Sequence, residues 1–151
     1  MKTAIIIGAT GLVGSELTKK LLIDNRYDKV KVFVRRTTGI SNTKIEEHIV
    51  DFDKIDTWKN HITGDELYSA LGTTIKKAGS KEVQYKIDFD YQYITAKLAS
   101  ENGVQKYLLV SSIGANSKSK NFYLNMKGNL DNAVQLFPFD QILIFRPSIL
   151  V

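Results

Sequence analysis

The sequence predicts an α/β fold: a doubly wound parallel sheet of about six strands with helices on both faces. Two observations carry this. Short apolar, β-branched runs alternate with stretches of helical period along the chain. The first such run, Ala4 to Ile7, feeds a glycine turn, Gly8-Ala9-Thr10-Gly11-Leu12-Val13-Gly14, that opens a helix. No linker, low-complexity tract or repeat divides the chain, so residues 1–151 are expected to form a single domain.

Composition narrows the function classes. A chain of 151 residues can build a proper core, and 43% hydrophobic with 25% charged residues fits a globular protein. The absence of cysteine excludes disulfides, thiolate nucleophiles and zinc-thiolate sites, and no metal site is expected. No apolar run approaches a membrane span, and the N-terminus starts on a strand rather than a signal peptide. A cytoplasmic protein without membrane contact is therefore expected. The net charge of +5 comes from lysines scattered along the chain, which suits attraction of a phosphate-bearing ligand. Nucleic acid is not an expected partner, because clustered basic residues and a recognition motif are both missing.

The elements follow in order. A helix from about Leu12 to Asp24 carries Val13, Leu17 and Leu21 on one stripe, and Asn25 to Asp28 forms a turn. Val30 to Val34 is a second strand, ending in Arg35-Arg36. His48 to Val50 is a third, followed by Asp51-Phe52 and a short helix over Asp53 to Asn60 capped by Asp51 or Asp53. Glu66 to Leu71 is a fourth strand ending in Gly72-Thr73-Thr74, with a polar loop from Ile75 to Lys81. A helix then runs to about Asn102, showing Ile87, Tyr91, Ile94 and Leu98 at helical spacing and Gly103 as its stop. Lys106 to Val110 is the fifth strand, with Ser111-Ser112 at its end. Phe122 to Leu136 is the last helix, and Gln141 to Phe145 is the sixth strand before Arg146-Pro147. The apolar end at Val151 looks truncated, as though a C-terminal substrate segment were missing.

In open parallel sheets ligands bind beyond the carboxyl ends of the strands. Gly8, Arg35, Asp51, Gly72, Ser111 and Pro147 all follow strand ends and so converge on one edge. The glycine turn is expected to bind a dinucleotide pyrophosphate through Gly8, Ala9, Thr10, Gly11, Leu12 and Val13. Gly11 removes a Cβ where the phosphate approaches, and Gly14 lets the helix lie close on the sheet. Arg35 and Arg36 stand where an NAD site usually places a carboxylate, and two guanidiniums suit a ribose 2′-phosphate, so NADP(H) is expected over NAD(H). Asp51 and Phe52 are placed to flank the adenine. Leu71, Gly72, Thr73, Ser111 and Pro147 are expected to border the rest of the cofactor.

Tyr123 and Lys127 lie four residues apart on one helix face, behind the Ser111-Ser112 pair. A phenol beside an ammonium is lowered toward the range of a general acid, Lys127 can also reach a nicotinamide ribose, and a serine hydroxyl can orient a carbonyl. His48 and His61 sit in early segments away from this edge and read as structural or surface residues.

The glycine turn, Arg35-Arg36, Asp51, Ser111-Ser112, Tyr123 to Lys127 and Arg146-Pro147 together resemble the atypical and extended branch of the short-chain dehydrogenase/reductase superfamily. Within it, the stretch from Leu71 to Ser80 and Asn121-Phe122-Tyr123 are similar to the Tat-interacting-protein oxidoreductase family. The resemblance implies a Rossmann fold, NADPH binding and a Ser-Tyr-Lys catalytic set carried by Ser112, Tyr123 and Lys127. It also implies that Leu71-Gly72-Thr73 replaces the superfamily's Asn-Ala-Gly segment beside the cofactor. Asp88 stands where classical members keep an asparagine. Three functions follow as expectations. The first is NADPH-dependent reduction of a small carbonyl substrate with Tyr123 as general acid. The second is a non-catalytic, NADPH-sensing module that binds a protein partner. The third is a flavin- or bilin-type NADPH reductase. An uncovered strand edge also predicts a dimer or larger homo-oligomer.

Overall fold

The computed structural model describes residues 1–148, so the apolar end at 149–151 lies outside the described residues. The six strands are β1 (Lys2–Ile7), β2 (Tyr27–Val34), β3 (Ile45–Ile49), β4 (Glu66–Ser69), β5 (Lys106–Val110) and β6 (Gln141–Phe145). They form one sheet in the order β3-β2-β1-β4-β5-β6, and all neighbours are parallel. This is the Rossmann order, in which the chain reverses direction across the sheet between β1 and β4.

The alternation of side chains along β1 divides the core into two layers. Ala4 and Ile6 face a layer with Leu21 and Leu22 of helix α1 (Leu12–Ile23) and with Val30 and Val32 of β2. Ile5 and Ile7 face the opposite layer, with Leu67, Tyr107 and Leu109 of the sheet. That layer is closed by Ala96 and Ala99 of α4 (Tyr91–Glu101) and by Leu130 and Val134 of α5 (Phe122–Val134).

Several expected boundaries move. Strand β2 begins at Tyr27 rather than Val30, because Tyr27 is buried and its hydroxyl is held by Glu66 and Tyr68. Strand β3 lies at Ile45–Ile49, somewhat earlier than expected, and β4 stops at Ser69. The helix expected over Asp53 to Asn60 is two 3-10 turns, Ile55–Thr57 and Lys59–His61. The stretch read as a polar loop from Ile75 holds α2 (Ile75–Ala78) and the start of α3 (Lys81–Tyr85). Thr74 and Ser80 cap them by accepting the Lys77 and Val83 amides.

The largest difference concerns the long helix. A π turn, Lys86–Asp90, joins α3 to α4 and changes which face meets the sheet. The buried residues are Gln84, Asp88, Gln92, Thr95, Ala96 and Ala99, while Ile87, Tyr91, Ile94 and Leu98 are only half-buried. This buried face is polar but partnered: Ser69 Oγ donates to Gln92 Oε1 at 2.8 Å, and Gln92 Nε2 donates to the Asp88 carbonyl at 2.7 Å. At the β6 edge, Phe137, Phe139, Ile142 and Ile144 line an open groove of about 460 Å³.

The opposite, amino-terminal end of the sheet is sealed by Glu66, which is 3% exposed. Its carboxylate accepts the Tyr27 hydroxyl and the Tyr68 hydroxyl at 3.0 Å, and Lys2 and Lys106 approach within 3.5 and 3.9 Å. Burial pushes this carboxyl up, but the two phenols and two ammoniums outweigh it and hold it below its ordinary 4.5. A carboxyl lowered on folding stabilises the native state above its unfolded value and ceases to do so as pH falls through the folded one. Urea unfolding should therefore show Glu66→Gln about 1–3 kcal/mol less stable than the parent at pH 7, with the gap closing as pH falls through the lowered range of the folded carboxyl. Identical pH slopes for the two proteins would count against this account.

Candidate functional site

The glycine turn is shaped by two backbone contacts. Gly8 has φ of +87°, and a Cβ there would stand 2.3 Å from the Ala70 carbonyl carbon. A Cβ on Gly14 would stand 1.8 Å from the Gly8 carbonyl oxygen. Only glycine at these positions lets β1 run close beside β4 and lets α1 turn back directly over the strand end. Gly11 occupies the N-cap of α1 with no side-chain cap, and the first turn holds no acidic residue. The leading amides of this twelve-residue helix are thus left for an anion, in the favourable field of the helix dipole. Leu12 and Val13 open this helix and lie outside the lining of the cleft.

A cleft of about 1080 Å³ opens beyond the strand ends at the β1/β4 switch point. Its walls bring together Gly8, Ala9, Thr10 and Gly11 with Arg35 and Arg36, with Asp51 and Phe52, and with Leu71, Gly72 and Thr73. Arg35 and Arg36 are exposed and form no salt bridge among the described residues. Asp51 caps no α-helix; its carboxylate accepts the Asp53 amide at 2.9 Å in a local turn. Phe52 is mostly buried, stacked on Tyr91 and edge-on to Trp58, so it supports the wall more than it presents a face.

Sequence reasoning missed part of this wall. Lys77, Lys86 and Tyr91 line the cleft, delivered by α2 and the π-turn region that had read as loop and plain helix. Lys86 and the Tyr91 hydroxyl both reach Asp53 at 2.7 Å, and together they hold that carboxyl below its usual range. Lys86 is thereby neutralised locally, which leaves Arg35, Arg36 and Lys77 as the cleft's positive charges without a salt bridge among the described residues.

The second group of expected residues lies outside the cleft lining. Asn121 caps α5 by accepting the Leu124 amide at 3.0 Å, and the helix then presents Tyr123, Lys127 and Asp131 at four-residue intervals on one face. Lys127 is 3% exposed, and its Nζ stands 5.9 Å from the centre of the Tyr123 ring. Ser112 Oγ donates to the Ile113 carbonyl at 3.1 Å. Ser111 is buried with its Oγ unpartnered, and the Pro147 carbonyl accepts the Ile113 amide, tying the β5 and β6 exits together.

One expectation about this group is corrected. Lys127 does not lower the Tyr123 phenol. Burial and the charge of Asp88 push that phenol above its ordinary value, and the Ser112 hydroxyl only partly opposes them. Lys127 itself is pushed down by burial, while the carboxylates of Asp88 and Asp131 pull it back up. Its charge is thus directed inward, to two buried acids, rather than to the phenol. The i,i+4 spacing from Lys127 to Asp131 was the available signal for the second acid. His48 and His61 stay apart from all of this, with His48 stacked on Phe33 at 4.7 Å.

A family model described as NAD(P)H-binding matches residues 8–135, which spans the glycine turn, the cleft and α5. The chain belongs to the NAD(P)H-binding family. Among curated relatives of this family member, Protein FMP52, mitochondrial, of Candida albicans is 36% identical over 99% of this chain and 67% of its own length. Protein HTATIP2 of Rattus norvegicus is 33% identical over 99% of this chain and 63% of its own. The chain thus spans about two thirds of the length of the curated relatives it matches. Solved structures share the fold. The Bordetella bronchiseptica enzyme WbmH in complex with NAD+ superposes with a TM-score of 0.81 at 15% identity, over 97% of this chain and 55% of that one. A short-chain dehydrogenase/reductase superfamily protein from Agrobacterium tumefaciens with bound NAD gives 0.77 at 15%, over 95% and 48%. The fold is that of the short-chain dehydrogenases, as the sequence predicted. The cytoplasmic expectation is overturned: the FMP52 relatives from several fungi are named mitochondrial proteins.

The two helix-start glycines of this NAD(P)H-binding domain should differ in their tolerance. Gly14→Ala should cost about 3 kcal/mol of unfolding free energy or more, since both clashing groups are backbone. Gly11→Ala meets nothing closer than 3.4 Å and should change stability by less than about 1 kcal/mol. Chemical denaturation of the pair checks this; comparable losses would contradict the geometry.

Proposed function

We propose that the chain is the NADPH-binding part of a mitochondrial oxidoreductase that reduces a small carbonyl compound. The observation that carries this reading is the pairing, in one cleft, of an uncapped helix N-terminus with two arginines free of salt bridges among the described residues. These residues fit a dinucleotide with a 2′-phosphate. The leading amides of α1 take the pyrophosphate, Gly11 leaves room for it, and Arg35 and Arg36 take the extra phosphate that NADH lacks. Asp51 borders the adenine, and Leu71, Gly72 and Thr73 form the wall toward the nicotinamide end. The mitochondrial setting follows from the naming of the FMP52 relatives.

When bound, the nicotinamide supplies the hydride. The residues of the chain then have separate tasks. The Ser112 hydroxyl orients the substrate carbonyl oxygen. The Tyr123 hydroxyl gives its proton to that oxygen as the carbon accepts the hydride, so that an alcohol leaves and a tyrosinate remains to be reprotonated from solvent. Lys127, whose ammonium answers to Asp88 and Asp131, would donate to the ribose at the nicotinamide end of a bound nucleotide. The Tyr123 phenol is protonated near neutrality, the state a proton donor needs, while burial and Asp88 make it a weaker acid than a free phenol.

Isothermal titration should show NADPH binding at least tenfold more tightly than NADH, and replacing Arg35 and Arg36 together by alanine should erase the difference. Equal affinity of the unaltered chain for the two nucleotides would refute the arginine assignment. In the protein at the full length of its relatives, Tyr123→Phe should lower kcat at least a hundredfold while NADPH affinity stays within about threefold. Turnover that survives this change would point to a flavin-type reductase, which needs no phenolic acid.

A further inference from the structure

The chain leaving β4 forms a strap along one side of the cleft. It begins at Thr73, runs through α2 and α3, and returns to the body of the fold at Gln84. Both ends are fixed. Asp88 Oδ1 accepts the Thr73 amide at 2.8 Å, and Gln84, which is buried, donates from Nε2 to the Thr73 carbonyl at 3.3 Å. Between these anchors the strap is ordered by its own turns: Thr74 Oγ1 accepts the Lys77 amide at 3.2 Å, and the Thr74 carbonyl accepts the Ala78 amide at 2.8 Å. Beyond Thr73, the strap residues that reach the lining of the cleft are Lys77, Ala78 and Val83. Lys76 and Lys81 lie outside it, and Lys81 Nζ stands 5.3 Å from the centre of the Phe122 ring.

Lys77 is exposed, and its ammonium meets no carboxylate and makes no hydrogen bond among the described residues. Lys86, the other lysine of the cleft, is taken by Asp53 at 2.7 Å. The charge of Lys77 therefore faces the cleft without a partner of its own.

Position decides what it can meet there. The sheet runs β2-β1-β4, so the arginines after β2 and the strap after β4 stand on opposite sides of β1 and of the α1 start that follows it. A dinucleotide laid across the switch point turns its adenosine toward β2 and sets its pyrophosphate over the α1 amides. Arg35 and Arg36 then face the adenosine ribose, while Lys77 faces the pyrophosphate from the β4 side. An ammonium with three donors on a flexible stem suits that approach.

We propose that Lys77 is a binding residue for the pyrophosphate of a bound nicotinamide dinucleotide, the side-chain counterpart of the α1 amides on the other wall. The inference rests on the nucleotide-binding part of the function given above. It does not rest on the preference for NADPH, since NADH carries the same pyrophosphate.

Isothermal titration of the parent chain, Lys77→Ala and Lys76→Ala with NADPH and with NADH tests this. Lys77→Ala should weaken both nucleotides by the same factor, about tenfold. Lys76→Ala removes the same charge one residue away, outside the lining, and should leave both affinities within about twofold. Saturating NADH should also slow acetylation of the Lys77 amine at least about fivefold, read by mass spectrometry, and leave Lys76 labelling unchanged. Unchanged affinities in Lys77→Ala, or equal labelling of the two lysines with NADH bound, overturn the proposal. A loss confined to NADPH overturns it as well, because Lys77 would then belong to the 2′-phosphate. So does an equal loss in Lys76→Ala, which would make the effect one of net charge rather than contact. Failure of the arginine assignment has a different signature: the parent binds NADPH and NADH equally, with the Lys77→Ala loss still in place. A parent that binds neither nucleotide refutes both.

Discussion

Helix α1 rests directly on the backbone of the turn that precedes it, and this contact governs the rest of the molecule. The Gly14 position lies so close to the Gly8 carbonyl that any side chain there would overlap it. That approach aims the uncapped start of α1 across the carboxyl end of β1. Gly8, pressed against Ala70, brings the end of β4 alongside. The reversal of strand order then opens the cleft between them. A phosphate seat, a wall and a gap thus come from backbone geometry, before any charged side chain contributes. The arginines at the end of β2 only have to extend from a strand that the sheet register has already placed beside β1.

The two core layers differ in chemistry, and the difference follows the site. The α1 layer is mostly aliphatic, with its buried polar groups confined to Thr18 and to Glu66 and its tyrosines at the amino-terminal end of the sheet. The α4/α5 layer carries Gln84, Asp88, Gln92, Thr95, Lys127 and Asp131 among its buried residues. Burying such groups costs free energy unless they are partnered, and most of them are. Ser69 meets Gln92, Gln92 meets the Asp88 carbonyl, Thr73 meets Asp88, and Arg146 meets Asp131. The unpartnered Oγ of Ser111 and Oδ1 of Asp131 belong to this same layer. A helix face this polar is a poor choice for stability alone. It is a reasonable choice for holding an ammonium in a fixed place.

The parts legible in the sequence were those written in local pattern. The glycine turn, the six strands in their order of appearance, the arginines after β2 and the Tyr123–Lys127 pair each show as short spacings, and all were placed correctly on their elements. What escaped depends on contacts distant in sequence. The apolar stripe from Ile87 to Leu98 is real as a pattern, yet the π turn rotates it to the flank and turns Gln84, Asp88 and Gln92 toward the sheet. Nothing in that pattern discloses a π turn, because the groups that stabilise it, Thr73 and Ser69, come from another strand and its exit. Lys77 and Lys86 were lost for a similar reason, within a stretch whose caps at Thr74 and Ser80 looked like loop residues. The cellular location was inferred from composition, which carries no information about which compartment a soluble-looking domain occupies.

The pairing of Tyr123 with Lys127 was legible as a spacing but not as an electrostatic arrangement. A lysine four residues from a tyrosine invites the inference that it acidifies the phenol. The burial of Lys127 redirects it, because the carboxylates whose charge bears on this desolvated ammonium are Asp88 and Asp131. Arg146 answers the charge of Asp131, so this end of the site is close to neutral within itself. The arginine end is not, since Arg35 and Arg36 meet no acid among the described residues. The two ends therefore select by different physics. On the proposed reading, phosphate is selected at the exposed end by open positive charge, which salt screens. At the buried end, geometry and hydrogen bonding do the selecting in a region that salt reaches poorly, so ionic strength should act on nucleotide capture far more than on the chemistry that follows.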